Sequence, residues 1–315
     1  MGYDFGMSKI KKANSKVSKK TENFKIELDG ETITVDKEAL RPFLSDSNME
    51  LIEMDEDERQ HRYEIEEAIG IVQTYQGAIN DLPAKLKNNR EVVMAAVDYA
   101  GENLQYVKKS FRKDKEVVME AVKLNDWDSG IQQEVGDGEA LEFADKSLKK
   151  DKKIVLAAVE SNGYAFEFAD KSLKKDRKFV LKAVKLNGTA LYYADDTFKK
   201  DKKIVMAAVQ SNGEALGALD ESFKKDREVV LAAVRSNGCG LQFAHDSFKK
   251  DKKFVLEAVK SHSWAMETID KSFKKDREVV MAAVKSNGDA LTSADKSFRK
   301  DREIVLAALK SNEDS

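Results

Sequence analysis

Apolar residues in this chain fall in short blocks that return at a fixed interval. The phrase Asp226-Arg227-Glu228-Val229-Val230-Leu231-Ala232-Ala233-Val234-Arg235-Ser236-Asn237-Gly238 recurs from Asp151, Asp176, Asp201, Asp251, Asp276 and Asp301, a step of 25 residues, with earlier copies from Asn89 and Asp114. A period of that size marks a stacked repeat. Each unit predicts two helices. The leading Asp is a suitable N-cap, because its carboxylate accepts from the free N–H groups of the first turn. The block that follows, such as Ile204-Val205-Met206-Ala207-Ala208-Val209, is apolar on nearly every side and predicts a helix A buried between units. Asn-Gly is expected to end it, with Gly in the left-handed conformation common at helix C-termini. A shorter helix B, as in Glu139–Ala144, and a Lys-rich connector complete the unit.

One such hairpin cannot hide its apolar face alone, and stacking on the next copy hides it. The expected fold is therefore all-α: an α-solenoid of two-helix repeats over residues 62–315, with a small N-terminal β-hairpin plus helix. Helices packed ~8–10 Å apart predict a long open surface rather than a closed pocket. Asp151 follows Asp114 by 37 residues, so 12 extra residues are placed at 126–137. Insertions in such arrays map to loops on one face, and Trp127 there is a candidate anchor.

Ahead of the array, residues 1–23 are rich in Lys and Ser and have little to bury, which predicts a disordered basic tail. Phe24–Leu28 and Glu31–Val35 flank Asp29-Gly30, the preferred two-residue hairpin turn. In that register Ile26 faces Ile33 and Phe24 faces Val35, and Asp36 is placed to cap a short helix through Leu44. The stretch around Asp55-Glu56-Asp57-Glu58 predicts an acidic helical cap, so that residues 24–61 form a hairpin-and-cap segment.

Composition narrows the function. Charged residues make up 36% of the chain and nearly cancel, at a net −2, although residues 138–315 carry +6 and residues 1–137 carry −8. Neither a nucleic acid nor a membrane surface is implied by that balance. Cys239 is the single cysteine, so no intrachain disulfide exists and a cytoplasmic setting is expected. No run of about 18 apolar residues is present, so no membrane span is expected. With His61, His245 and His262 the only histidines, the sequence offers no zinc set and no Ser/His/Asp order. Its glycines sit at the repeat step rather than in a phosphate loop. No catalytic residue, cofactor or metal is expected.

Comparison of the copies with one another supplies the candidate site. Positions kept in every copy build the stack, and positions that vary are free for a ligand. Along helix B the variable positions carry Tyr164, Tyr192, Tyr193, Phe243 and Trp264, and the Ser261-His262-Ser263-Trp264 irregularity adds His262. These residues and Trp127 are the candidate partner-binding set. The leading function is a non-enzymatic protein-interaction scaffold. The alternative is nucleic-acid binding through the basic tail and a periodic basic edge: Lys149, Lys150, Lys174, Lys175, Lys199, Lys200, Lys224, Lys225, Lys249, Lys250, Lys274 and Lys275.

The phrases KDREVVLAAVRSNG, KDKKIVMAAVQSNGEAL and ADKSFKKDREVVMAAVKSNGDAL resemble a family of short helical repeats catalogued as a domain of unknown function, found in bacteria including intracellular pathogens, in protists and in large viruses. The resemblance spans roughly residues 76–313. It implies an α-helical array, brings no catalytic residues, and suggests an effector that sequesters a partner, delivered to a host cytosol. The insertion at 126–137 departs from its pattern. The opening at residues 24–44 also resembles, in outline, that of Skp1/BTB-type adaptor domains.

Overall fold

The computed structural model of the chain describes residues 10–12, 23–28, 31–36, 56–123 and 138–313. Trp127, the 126–137 insertion, the turn at Asp29-Gly30 and the helix expected through Leu44 lie outside those residues. The chain divides into two compact units, residues 1–92 and residues 93–315.

In the first unit, β1 (Ile10–Lys12), β2 (Asn23–Leu28) and β3 (Glu31–Asp36) form an antiparallel sheet in the order β1-β2-β3. Phe24 pairs with Val35, Ile26 with Ile33 and Ile10 with Ile26. Helix α1 (Glu56–Val72) follows, burying Ile65, Ala68 and Val72. Arg62 holds Glu91 at 2.6 Å and Glu66 at 3.2 Å. Gly77, at φ 88°, turns the chain into a 3-10 helix at Ala78–Asp81, a left-handed position that needs a residue without a Cβ.

The long helices of the array are α2 (Arg90–Tyr99), α3 (Lys115–Val122), α4 (Lys152–Ser161), α5 (Arg177–Leu186), α6 (Lys202–Ser211), α7 (Arg227–Ser236), α8 (Lys252–Ser261), α9 (Arg277–Ser286) and α10 (Arg302–Glu313). The cap aspartates act as such: the Asp151 carboxylate accepts from the Lys153 and Ile154 amides at 2.9 and 3.3 Å, and Asp176, Asp201, Asp226, Asp251 and Asp276 repeat the arrangement. Each helix buries a stripe rather than its whole circumference. In α4, Ile154, Val155, Ala158 and Val159 are fully buried while Leu156 and Ala157 are only partly covered.

The unit differs from a pair of α-helices. After α4, α5, α6 and α7 the second element is a six-residue 3-10 helix, at Gly163–Phe168, Gly188–Tyr193, Gly213–Ala218 and Gly238–Phe243. The connector adds a further helical turn, such as Leu148–Lys150 or Lys171–Lys174. Asparagine causes the change. Asn162 leaves the helix in an extended conformation and its side-chain oxygen accepts from the Tyr164 amide at 3.0 Å, so it caps the 3-10 helix. Asn187, Asn212, Asn237 and Asn287 do the same.

The glycine after each asparagine therefore has a different role from the left-handed terminator expected. Gly77 is the only glycine with positive φ among the described residues. The repeat glycines are needed for close approach instead. A Cβ on Gly138, Gly188, Gly213 or Gly288 would lie under 3.0 Å from the carbonyl oxygen of Ala158, Ala208, Ala233 or Ala308, near the C-terminal end of the next long helix. That oxygen already accepts an amide of its own helix end, as Ala158 O does from Asn162 at 2.8 Å, and only glycine lets the neighbouring backbone pack against it.

Polar contacts join the units along the connector side. The basic residue after the cap reaches the next cap in most units: Lys152 to Asp176 at 2.9 Å, Arg177 to Asp201 at 2.7 Å, Lys202 to Asp226 at 3.3 Å, Lys252 to Asp276 at 2.7 Å and Arg277 to Asp301 at 3.2 Å. Main-chain bonds run beside them, as from the Asp170 amide to Lys149 O at 3.0 Å and from the Asp195 amide to Lys174 O at 3.1 Å. The second Asp of the connector closes its own turn, with Asp170 accepting from the Ser172 hydroxyl at 2.6 Å. His245 stands at this position in the α7 unit, where its Nδ1 lies 2.8 Å from the Ser247 hydroxyl.

These bonds make the stack acid-sensitive. The hydrogen bond from Lys115, Lys152 or Lys252 is the main cause holding Asp151, Asp176 and Asp276 below the usual carboxylate range; for Asp301 it is the Ile304 amide. A carboxyl whose folded pKa is depressed stabilises the fold above its unfolded pKa, about 3.9, and that contribution is lost as pH falls through the folded value. The urea midpoint is therefore expected to hold from pH 7 to about 4.5 and then fall. Replacing Asp151, Asp176 and Asp276 with Asn, which caps as well as Asp, flattens the acid limb. An acid limb unchanged in that variant contradicts the assignment.

Candidate functional site

The variable face is the outer side of the 3-10 helices. Each is held by its Asn cap and by a buried small-then-large pair, Ala165-Phe166, Ala190-Leu191 or Ala215-Leu216, all fully buried. Of the remaining positions on this face Tyr164 is exposed, Tyr192, Tyr193 and Phe243 are half-buried, and Thr189 is buried. Tyr164, Tyr192 and Tyr193 converge there. The Tyr164 ring lies 5.7 Å from that of Tyr192 and 6.3 Å, edge-on, from that of Tyr193. The Tyr192 hydroxyl donates to the Glu214 carbonyl at 3.1 Å.

Gly217, in the next unit, occupies the position that Tyr192 holds in its own. A Cβ at Gly217 would collide with the Tyr192 hydroxyl and meet the Phe243 ring at 3.1 Å. Tyr192 and Phe243 thus lean from either side into the space glycine leaves. The result is one aromatic strip, Tyr164–Tyr192–Gly217–Phe243, crossing four consecutive units, with Tyr193 beside it. Trp264, in the following unit, is 57% exposed.

Acidic groups border the strip. Burial and then nearby Glu214 push the Tyr164 hydroxyl up; the Tyr193 hydroxyl is raised by burial and by its bond to Glu167. Burial, Glu267 and Glu214 together raise the Cys239 thiol. None of Glu142, Glu167, Glu214 and Glu267 is ion-paired among the described residues, whereas Glu139 and Asp289 accept from the side-chain amides of Asn162 and Asn312 at 3.3 and 3.1 Å. Sequence comparison of the copies singled out the aromatic residues and missed these carboxylates. The signal was available: the six-residue stretches from Gly138, Gly163, Gly188, Gly213, Gly238, Ser263 and Gly288 contain no Lys or Arg.

His262 does not join the face. It takes the Asn position at the end of α8, with its amide bonded to Ala258 O at 2.9 Å like that of every Asn, while its Nδ1 is buried, bonds to nothing, and lies against Gly238. Its imidazole makes no such cap bond, whereas Asn212 and its equivalents accept from the amide two residues on. The element that follows is accordingly an α-helical turn, Ala265–Thr268, in place of a 3-10 helix. The irregularity reshapes the second element and leaves the end of α8 intact.

The basic edge is half internal. The first lysine of four pairs folds back onto the second element of its own unit: Lys149 to Glu142 O at 2.7 Å, Lys174 to Glu167 O at 2.5 Å, Lys249 to Gln242 O at 2.9 Å and Lys274 to Glu267 O at 3.2 Å. Lys199 and Lys224 pair with Asp196 and Glu221. Burial lowers Lys149 and Lys174 from the ordinary lysine value. The second lysines, Lys150, Lys175, Lys200, Lys225, Lys250 and Lys275, are exposed, with Lys150 3.8 Å from Asp170 and Lys275 4.0 Å from Asp295. Among the described residues no group of His, Cys, Asp and Glu is placed to hold a metal ion, and no helix is long and apolar enough to cross a membrane.

The family described as Domain of unknown function (DUF4116) matches residues 89–128, 136–174, 176–224, 226–274 and 276–315. The chain belongs to the DUF4116 family. The matches starting at 176 and 226 are 50 residues apart, so each of those DUF4116 stretches holds two of the 25-residue units. No curated protein and no solved structure matches the chain.

Proposed function

We propose that the array is a protein-interaction scaffold that holds its partner on the outer face of the 3-10 helices. The observation that carries this reading is the contiguous strip of Tyr164, Tyr192 and Phe243, with Tyr193 beside it, built at the positions that change from unit to unit. Tyrosine supplies large, rigid, amphipathic contact area and is enriched at interface hot spots. The unchanging residues have other duties: caps, core and glycine contacts. Capture of a partner on such a surface is all that sequestration in a host cytosol would require.

Nucleic-acid binding is the second reading, supported by the exposed row Lys150, Lys175, Lys200, Lys225, Lys250 and Lys275. Photo-crosslinking in cells that express the full chain separates the two. A photoreactive residue at position 193 or 264 is expected to yield protein adducts, and one at 175 or 250 none. Adducts only from 175 and 250, or nucleic acid in place of protein, would overturn the scaffold reading.

A further inference from the structure

Each inner long helix buries two pairs of residues, one toward either neighbour. In α9 the pairs are Val279 with Ala283 and Val280 with Val284, all without exposed surface. Helix α10 keeps the first pair covered, at Ile304 and Ala308, and opens the second: Val305 is half-buried and Leu309 is 57% exposed. Helix α1 does the reverse. Its residues stand 237 positions ahead of their equivalents in α10, which is nine steps of 25 and the 12 of the insertion. The equivalents of Val305 and Leu309, Ala68 and Val72, are buried, while those of Ile304 and Ala308, Glu67 and Ile71, are exposed. The two helices expose opposite halves of one stacking contact.

Shape and charge agree with that complementarity. No second element follows α10 among the described residues, and a groove of about 250 Å³ opens beside it, lined by Gly288, Leu291, Val305, Ala308 and Leu309. Inside the stack, a second element in that place lies against the alanine of the next long helix, as Gly188 does against Ala208. Helix α1 carries Ile71 where all nine other long helices carry that alanine, a larger side chain for a place with more room. The polar contacts match as well. Arg277 reaches both Asp301 and Glu303, and Lys252 reaches both Asp276 and Glu278, the next cap and the residue two beyond it. Arg302, the exposed counterpart on α10, makes no ion pair among the described residues. The α1 residues at the cap position and two beyond it are Glu64 and Glu66, in exposed pairs with Lys85 at 4.0 Å and Arg62 at 3.2 Å. Helix α1 has six acidic and two basic residues, whereas residues 296–312 have five basic and two acidic, so the two surfaces attract. We propose that α10 of one copy of the chain stacks on α1 of a second copy, with Leu309 beside Ile71 and Arg302 meeting Glu64 and Glu66. The contact is heterologous and each copy carries both halves, so assembly continues past a dimer. It is independent of the scaffold reading.

Sedimentation equilibrium of the full chain tests it. The average mass is expected to rise with concentration around ~10 μM, and less steeply at high salt. Leu309→Asp and Ile71→Asp each change an exposed residue, so each should keep its far-UV dichroism and sediment as a single chain. Mixed together they should pair and stop at a dimer, because the first retains its α1 surface and the second its α10 surface. Arg302→Glu, which leaves the apolar contact in place, should weaken association about tenfold. A single-chain mass at every concentration up to ~100 μM overturns the proposal, as does association that survives Leu309→Asp with Ile71→Asp in one chain. A mixture of the two variants that stays unpaired overturns the head-to-tail arrangement, and association unchanged by Arg302→Glu overturns its register.

Discussion

Phe254→Ala is expected to cost about 3–5 kcal/mol of stability, the range for removing a fully buried aromatic ring. Phe254 is on α8 with no exposed surface. Its ring lies 4.6 Å from that of Phe248, the plug of the preceding connector, and the Arg227 guanidinium stacks over it at 5.5 Å. The ladder departs from its usual form at this point. Arg227 reaches Glu257 at 2.5 Å and the Phe254 ring, where its counterparts reach the next cap aspartate. Alanine removes the apolar contact, the ring pair and the surface on which Arg227 rests. Because stability in a repeat array is nearly a sum over neighbours, the loss should be local. Amides of α7, α8 and α9 should then exchange faster than those of α4 and α5. Urea unfolding followed by far-UV dichroism, with hydrogen exchange, measures both. A loss under about 1 kcal/mol, well below the ~3–5 kcal/mol range for truncating a buried Phe to Ala, would contradict the packing described.

Gly188→Ala should destabilise by about 3 kcal/mol, the upper part of the range for overpacking. At an unstrained glycine outside the left-handed region, alanine would ordinarily stabilise by roughly 0.4–1 kcal/mol, through the unfolded chain. The sign is reversed here because the new Cβ meets main-chain atoms: the Ala208 carbonyl, its carbon at 2.9 Å and the Asn212 amide at 3.0 Å. A flexible side chain can yield at such a contact, whereas a helix end held by its own hydrogen bonds cannot. The α8 unit, in which His262-Ser263 replaces Asn-Gly, is the one where the following element is an α-helical turn. A Gly188→Ala chain as stable as the parent in urea would show that the units do not approach as described.

What the sequence discloses and what it hides divide along physical lines. Period, cap and core are short-range properties of one unit. A carboxylate three residues ahead of an apolar block has few other uses, and Asp151, Asp176 and Asp276 cap where the step places them. The glycines were legible as punctuation but not in their role. Left-handed φ and close approach select the same residue, and only the Ala carbonyl of the next unit decides between them. The 3-10 helix was hidden for a related reason: Asn162 could end one helix or cap the next, and its bond to the Tyr164 amide is visible only in three dimensions. The aromatic members of the face were readable from their variation. Its acidic border and the place of Gly217 were not, because they depend on which side chains of neighbouring units lean together. His262 is half-buried with its Nδ1 inside, a placement its break in the pattern does not disclose. The inward bonds of Lys149 and its equivalents were not readable either, because a basic residue near a helix end can bond the last carbonyls as readily as face solvent.

The account depends on the chain being built of interchangeable units that stack through the same few contacts. Deleting one whole unit, residues 201–225, tests this most directly. Arg177 would then meet Asp226 in place of Asp201, and Gly188 would lie against Ala233 in place of Ala208. The shortened chain is expected to keep its far-UV dichroism per residue and a cooperative urea transition, while deletion of the half unit 201–213 abolishes both. Unfolding of the whole-unit deletion, or equal tolerance of the two, would contradict the account.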